Sequence, residues 1–74
     1  MIRPEFRFEV GCSGCGVLDH APTLPSATAY ALCVLERHED CEGGVSVLDL
    51  MANHGKPHLW AVSLLGLRVL ETKP

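Results

Sequence analysis

Residues 5–10, Glu5-Phe6-Arg7-Phe8-Glu9-Val10, alternate charged and apolar positions with a period of two. The pattern predicts a strand with Phe6, Phe8 and Val10 on one face and Glu5, Arg7 and Glu9 toward water. Gly11 leads into Cys12-Ser13-Gly14-Cys15-Gly16, and Val17-Leu18-Asp19-His20 offers a second short strand that closes a hairpin. Ala21-Pro22-Thr23-Leu24-Pro25 reads as a linker, because each proline removes a backbone donor and biases the preceding residue away from helix. Ser26 is a good N-cap, and residues 27–41 predict a helix. Ala27, Ala31, Val34, His38 and Cys41 recur at helical intervals and fall on one stripe. Leu32 and Leu35 leave that stripe, so a second surface has to cover part of the helix.

Glu42-Gly43-Gly44 ends the helix, since glycine enters the left-handed region without a steric penalty. Val45-Ser46-Val47-Leu48-Asp49-Leu50-Met51 carries β-branched residues, and Asn53-His54-Gly55-Lys56-Pro57 has turn chemistry. Trp60, Val62 and Leu64 alternate beyond it, before Gly66. These features favour a β-hairpin of 45–51 with 58–65. Two helices, with Ser46 as cap and Gly55 as stop, are the alternative. The expected fold is α+β: a small ββα unit over residues 5–42, followed by an apolar extension over 43–74, all within one domain of residues 1–74.

Composition sharpens the picture. The chain is 47% hydrophobic and 20% charged, which excludes a disordered tail. Seventy-four residues make a marginal core, of the size that a metal or a partner commonly supports. The formal charge of −3, with six scattered basic residues, argues against a general phosphate-binding surface. No run approaches the ~18 apolar residues of a spanning helix, and Met1–Phe8 lacks the apolar core of a signal peptide. A cytoplasmic location is expected, and a reducing compartment favours metal over disulfides for the four cysteines.

Two soft ligands with two residues between them, Cys12-x2-Cys15, a spacer, then His38-x2-Cys41 is the spacing of a tetrahedral zinc site. Gly14 and Gly16 give the first turn the freedom to aim amide hydrogens at the sulfurs. Cys12, Cys15, His38 and Cys41 are therefore the expected ligands of a structural Zn²⁺, with no coordination position left for water. Such a site contributes roughly 10 kcal/mol of apparent binding energy at neutral pH, more than the expected stability of the bare chain. Without metal, the domain is expected to be unfolded or molten. Three thiolates and Zn²⁺ take the formal charge from −3 to −4.

His20 is an alternative fourth ligand, although the next position of a zinc-knuckle pattern holds Pro25. Cys33 lies about 120° around the helix from the stripe and is expected to point away from the site. His54-x3-His58 has helical pair spacing, but Gly55 and Pro57 interrupt any helix, and the pair reads as a polar turn. Cys12 and Cys15 as a redox pair form a rival reading, which requires a lowered thiol pKa. No phosphate-cradling loop, Ser–His–Asp arrangement or paired acidic groups occur, so no enzymatic activity is expected.

From Phe8 through Cys12-x2-Cys15, an apolar-striped helix and His38-x2-Cys41, the chain resembles ββα zinc fingers with Cys-Cys-His-Cys ligands. It is also similar to small zinc-finger-like proteins of actinobacteria and their phages, in which a Cys-x-x-Cys-Gly knuckle leads into an alanine-rich helix. The resemblance covers about residues 6–42. It implies a bacterial or phage accessory or regulatory protein, acting in the host-cell cytoplasm if viral.

Two functions follow. The first is a zinc-stabilised protein-interaction module whose apolar C-terminal segment, with Trp60, Val62, Leu64 and Leu67, meets a protein partner or a second copy. The second is a nucleic-acid-binding or transcription-modulating finger. It is disfavoured by charge and by a helix start, Ser26 to Tyr30, without Arg, Lys, Asn or Gln to read base edges.

Overall fold

Five antiparallel strands form one sheet, and a single helix lies across one of its faces in the computed structural model, which describes residues 3–37 and 44–74. The chain enters through a 3₁₀ turn over Pro4–Phe6, closed by Phe6 N–H donating to Arg3 O at 2.9 Å and Arg7 N–H to Pro4 O at 3.3 Å. This turn takes Phe6 out of the expected strand and leaves it 49% exposed.

Strand β1, Phe8–Cys12, begins two residues later, with Phe8, Val10 and Cys12 facing the core. It pairs with β2, Gly16–Ala21, through a tight turn. Helix α1, Leu24–Arg37, follows. It starts earlier than the prolines suggest. Thr23, not Ser26, caps it: Thr23 Oγ1 accepts from Ser26 N–H at 3.2 Å, and Thr23 O accepts from Ala27 N–H at 3.0 Å. Pro25 is tolerated because a first-turn amide has no intrahelical acceptor to lose. The expected stripe is present where it is described: Ala27, Ala31 and Val34 are buried, and Leu32 and Leu35 lie half-buried at the margin of the core.

After Gly44 the chain returns as β3, Val45–Asp49, which docks on the free edge of β1 and pairs Val10 with Val47. Strands β4, Pro57–Ser63, and β5, Gly66–Thr72, complete the order β2-β1-β3-β4-β5. The expectation of a finger unit with an appended hairpin is corrected in this respect: β3 bonds to β1, so both halves share one sheet and one core. Residues 45–72 carry strands, so the two-helix alternative does not describe this region.

The core lies between α1 and one sheet face. Phe8, Val10, Val45, Val47, Trp60 and Val62 project from the sheet, and Ala27, Ala31 and Val34 project from the helix. Val10 and Val47, neighbours on central strands, are fully buried. The small Ala27 and Ala31, also fully buried, let the helix backbone approach the sheet closely. Among the described residues, no helix is long and apolar enough to cross a membrane.

Candidate functional site

The Cys12–Cys15 turn is built by the β1–β2 hairpin. Cys12 is the last residue of β1, 4% exposed, and takes the inward position that follows Phe8 and Val10. Cys15 N–H donates to Cys12 O at 3.2 Å, which closes the turn and leaves Cys15 exposed just before β2. Gly16 opens β2 with φ +86°, a conformation that L side chains rarely adopt, so the glycine is what lets the chain reverse here. The turn therefore presents one cysteine at the edge of the core and one at the surface.

Its other tie is to Gly44. Ser13 N–H donates to Gly44 O at 3.1 Å, and Gly44 N–H donates to Ser13 Oγ at 3.0 Å. Ser13 sits between the two cysteines, and Gly44 is the residue at which the chain returns from α1. His38 and Cys41, the other two expected ligands, fall in 38–43, outside the described residues. Among the described residues no cluster of three or more His, Cys, Asp or Glu side chains forms a metal-binding group. Cys12 and Cys15 lie in one turn and have the donor chemistry of half a tetrahedral thiolate–imidazole sphere.

The remaining candidate ligands stand elsewhere. His20 lies at the far end of β2 from the turn, with Nε2 3.7 Å from Glu9 Oε2 and its ring edge-on to Phe6. Cys33 is exposed on α1, in a shallow cleft with Tyr30, Val34 and Arg37. His54 Nδ1 contacts the Pro74 carbonyl, whereas His58 Nε2 faces Glu71 Oε2 at 3.4 Å across the β4–β5 pair. The two histidines thus have different partners.

The expected interaction surface divides in two. Trp60 and Val62 are 9% and 6% exposed and belong to the core beneath α1, so they are corrected from surface to interior. Leu64 and Leu67 are exposed, at 79% and 37%. Leu65, Val69 and Leu70 join them, so five of the nine large exposed apolar side chains among the described residues fall within residues 64–70. The β4–β5 turn and the edge strand β5 carry all five.

Sequence reasoning passed over one polar arrangement. Asp49, at the end of β3, is buried and receives both Nε and Nη2 of Arg7, and the amide of Met51. Burial pushes its carboxyl up, but the hydrogen bonds from Arg7 and Met51, with the charges of Arg7 and His58, prevail and hold it below the usual carboxylate range. The hydrogen bond to Asp49 likewise raises Arg7 above the ordinary guanidinium value. The pair flanks an open cleft of about 310 Å³ that Phe8, Lys56 and Trp60 also line. No sequence signal pairs two residues 42 positions apart. Comparison with protein-family models, curated proteins and solved structures finds no match to this chain.

Proposed function

We propose that this chain is a small intracellular protein-interaction module in which a structural Zn²⁺ steadies the fold and the β4–β5 hairpin meets a protein partner. The observation that carries the reading is the concentration of exposed apolar side chains at Leu64 and Leu65 in the β4–β5 turn and at Leu67, Val69 and Leu70 on β5, a strand whose seven residues are all exposed. Exposed patches of that kind mark interaction surfaces, and β5, beside which no further strand lies among the described residues, adds a row of backbone donors and acceptors.

Zinc held by Cys12, Cys15, His38 and Cys41 would tie the β1–β2 turn to the segment that follows α1. The support is the double hydrogen bond between Ser13 and Gly44, which draws the chain after Cys41 back to the cysteine turn. Bound there, the ion supplies charge and cross-linking and leaves no open position for substrate. Cys12, at the edge of the core, would couple the metal to the packing of β1.

The test joins metal content to surface exposure. The protein purified from a reducing cytoplasm is expected to hold one zinc per chain and to bind an apolar dye, with the dye signal reduced by Leu65→Ser and Leu67→Ser. Absence of zinc at saturating supply removes the metal. A dye signal indifferent to those substitutions removes the interaction surface.

A further inference from the structure

The cleft of about 310 Å³ beside the Arg7–Asp49 pair is left with polar groups of one kind. Asp49 offers a ligand nothing. Its side chain is 6% exposed, Oδ1 accepts from Arg7 Nε and Met51 N–H, and Oδ2 accepts from Arg7 Nη2. Asp49 occupies two of the five guanidinium N–H groups, and among the described residues no other acceptor takes the rest. Lys56 also lines the cleft, and its ammonium forms no ion pair among the described residues. Two cations against one carboxylate leave a single unmatched positive charge. The rim that carries Lys56 is pinned through its backbone. Lys56 N–H donates to Asn53 O at 3.1 Å, while Gly55 N–H donates to Lys73 O and Lys73 N–H to Lys56 O, both at 2.9 Å. The least exposed lining residues, Phe8 and Trp60, form an aromatic floor with ring centroids 6.4 Å apart.

We propose that this cleft binds a carboxylate carried on a small apolar group, with the charge at Arg7 and Lys56 and the apolar body over Phe8 and Trp60. The spare charged groups are donors, so they call for an acceptor, and a cationic ligand meets no open carboxylate there. One unmatched positive charge suits a monoanion better than a phosphate dianion. The volume lies at the lower end of the roughly 300–1,000 Å³ range of ligand pockets, which suits one ring or one side chain rather than a nucleotide. Because the cleft is open, a longer molecule can place its end inside and continue into solvent. A free aromatic or aliphatic acid and the last residue of a peptide therefore share the required chemistry. No residue of the Cys12–Cys15 turn or of the exposed 64–70 patch lines the cleft, so this site is separate from both parts of the proposed function.

The experiment is a titration of the full chain with phenylacetate. Trp60 is the single tryptophan, so its fluorescence and its indole N–H resonance report on the cleft floor. Saturation is expected with a dissociation constant of about 0.1–1 mM, as befits so small a ligand. Phenylacetamide, which keeps the ring and lacks the charge, is expected to bind about tenfold more weakly. Acetate and inorganic phosphate, which lack the ring, are expected not to saturate by ~20 mM. Lys56→Gln is expected to weaken phenylacetate about three- to tenfold with unchanged circular dichroism, because its ammonium pairs with no group among the described residues. Ala52→Leu, which narrows the cleft from its lining, is expected to weaken it as well. Leu65→Ser, in the β4–β5 turn, is expected to leave binding unchanged, which keeps this result apart from that of the interaction surface. N-acetyl-L-phenylalanine stands for the end of a peptide. Binding at least as tight as phenylacetate assigns the cleft to a chain terminus, and weaker binding assigns it to a free acid. The site is overturned if neither acid saturates, if phenylacetamide binds as tightly as phenylacetate, if Lys56→Gln binds like the wild type, or if the shifted resonances fall outside the cleft.

Discussion

Arg7 grips Asp49 with two parallel hydrogen bonds, Nε to Oδ1 at 2.9 Å and Nη2 to Oδ2 at 3.0 Å. The pair bolts the entrance of β1 to the exit of β3, one position from the Phe8–Asp49 register pair. The Asp49 side chain is 6% exposed and the Arg7 side chain 43%, so the two partners are unequal. Removing Asp49 leaves a cation that water can reach, whereas removing Arg7 strands a buried anion with the Met51 amide. Asp49→Ala is expected to cost about 1–3 kcal/mol, through the lost hydrogen bonds of a charged acceptor. Arg7→Ala is expected to destabilise as well, with part of that loss recovered in Arg7→Ala/Asp49→Asn. Urea unfolding of the four proteins checks the cycle.

The same pair gives the fold an acid limb. The folded state holds Asp49 more acidic than the unfolded chain does, so the unfolded chain takes up that proton first as pH falls. The contribution is fully present above about pH 4, the ordinary carboxylate range, and is lost as pH drops through the lower folded-state value. Asp49→Asn abolishes this dependence. Urea midpoints measured from neutral pH downward are expected to show the wild type and Asp49→Asn converging in acid.

Where a sequence pattern has one dominant physical cause, it reads correctly here. The stripe Ala27, Ala31, Val34 is buried because a helix on a sheet must hide one face. The alternation through Phe8 and Val10 survives because β1 is central. Patterns with two competing causes mislead. Phe6 has the right phase for the strand, but the turn begun at Pro4 claims it first. Pro25 breaks an interior helix yet fits a first turn, so the helix begins at Leu24. Trp60 and Val62 alternate as any half-buried strand does, and their size suggested a surface where the core needed them. Strand β5 is exposed on both faces and shows no alternation, so periodicity could not mark it. For the candidate site, spacing picks out Cys12 and Cys15 and their turn; His38 and Cys41 fall outside the described residues. The Arg7–Asp49 pair depends on β3 returning beside β1, a long-range event with no local signature.

The close seat of α1 sets a steric prediction. Ala31 is fully buried over the central strands, and a leucine there has to lift the helix or displace Val10 and Val47. Ala31→Leu is expected to destabilise by about 1–3 kcal/mol. Tyr30→Ala, one residue away but 39% exposed, is expected to stay within about 0.5 kcal/mol. Thermal melts of the two variants distinguish this seat from a loosely packed helix, which would tolerate both.

The Ser13–Gly44 clamp gives the proposed zinc site a test that leaves every ligand in place. Ser13→Ala removes the hydroxyl that accepts Gly44 N–H, while the backbone bond from Ser13 N–H to Gly44 O is retained. One exposed hydrogen bond is worth about 0.5–1.5 kcal/mol. In the zinc-loaded protein that loss falls on the step that brings the chain after Cys41 back to the Cys12–Cys15 turn. Zinc affinity, measured by competition with a chromogenic chelator, is therefore expected to fall about two- to tenfold. The control is Ser63→Ala, which removes a hydroxyl from the β4–β5 turn, where Ser63 Oγ accepts Leu65 N–H at 3.2 Å. It is expected to loosen that turn and leave zinc affinity unchanged. Equal zinc affinity in Ser13→Ala and wild type would separate the cysteine turn from Gly44 energetically. The Zn²⁺ would then have to be held without help from the contact that draws the two parts of the chain together.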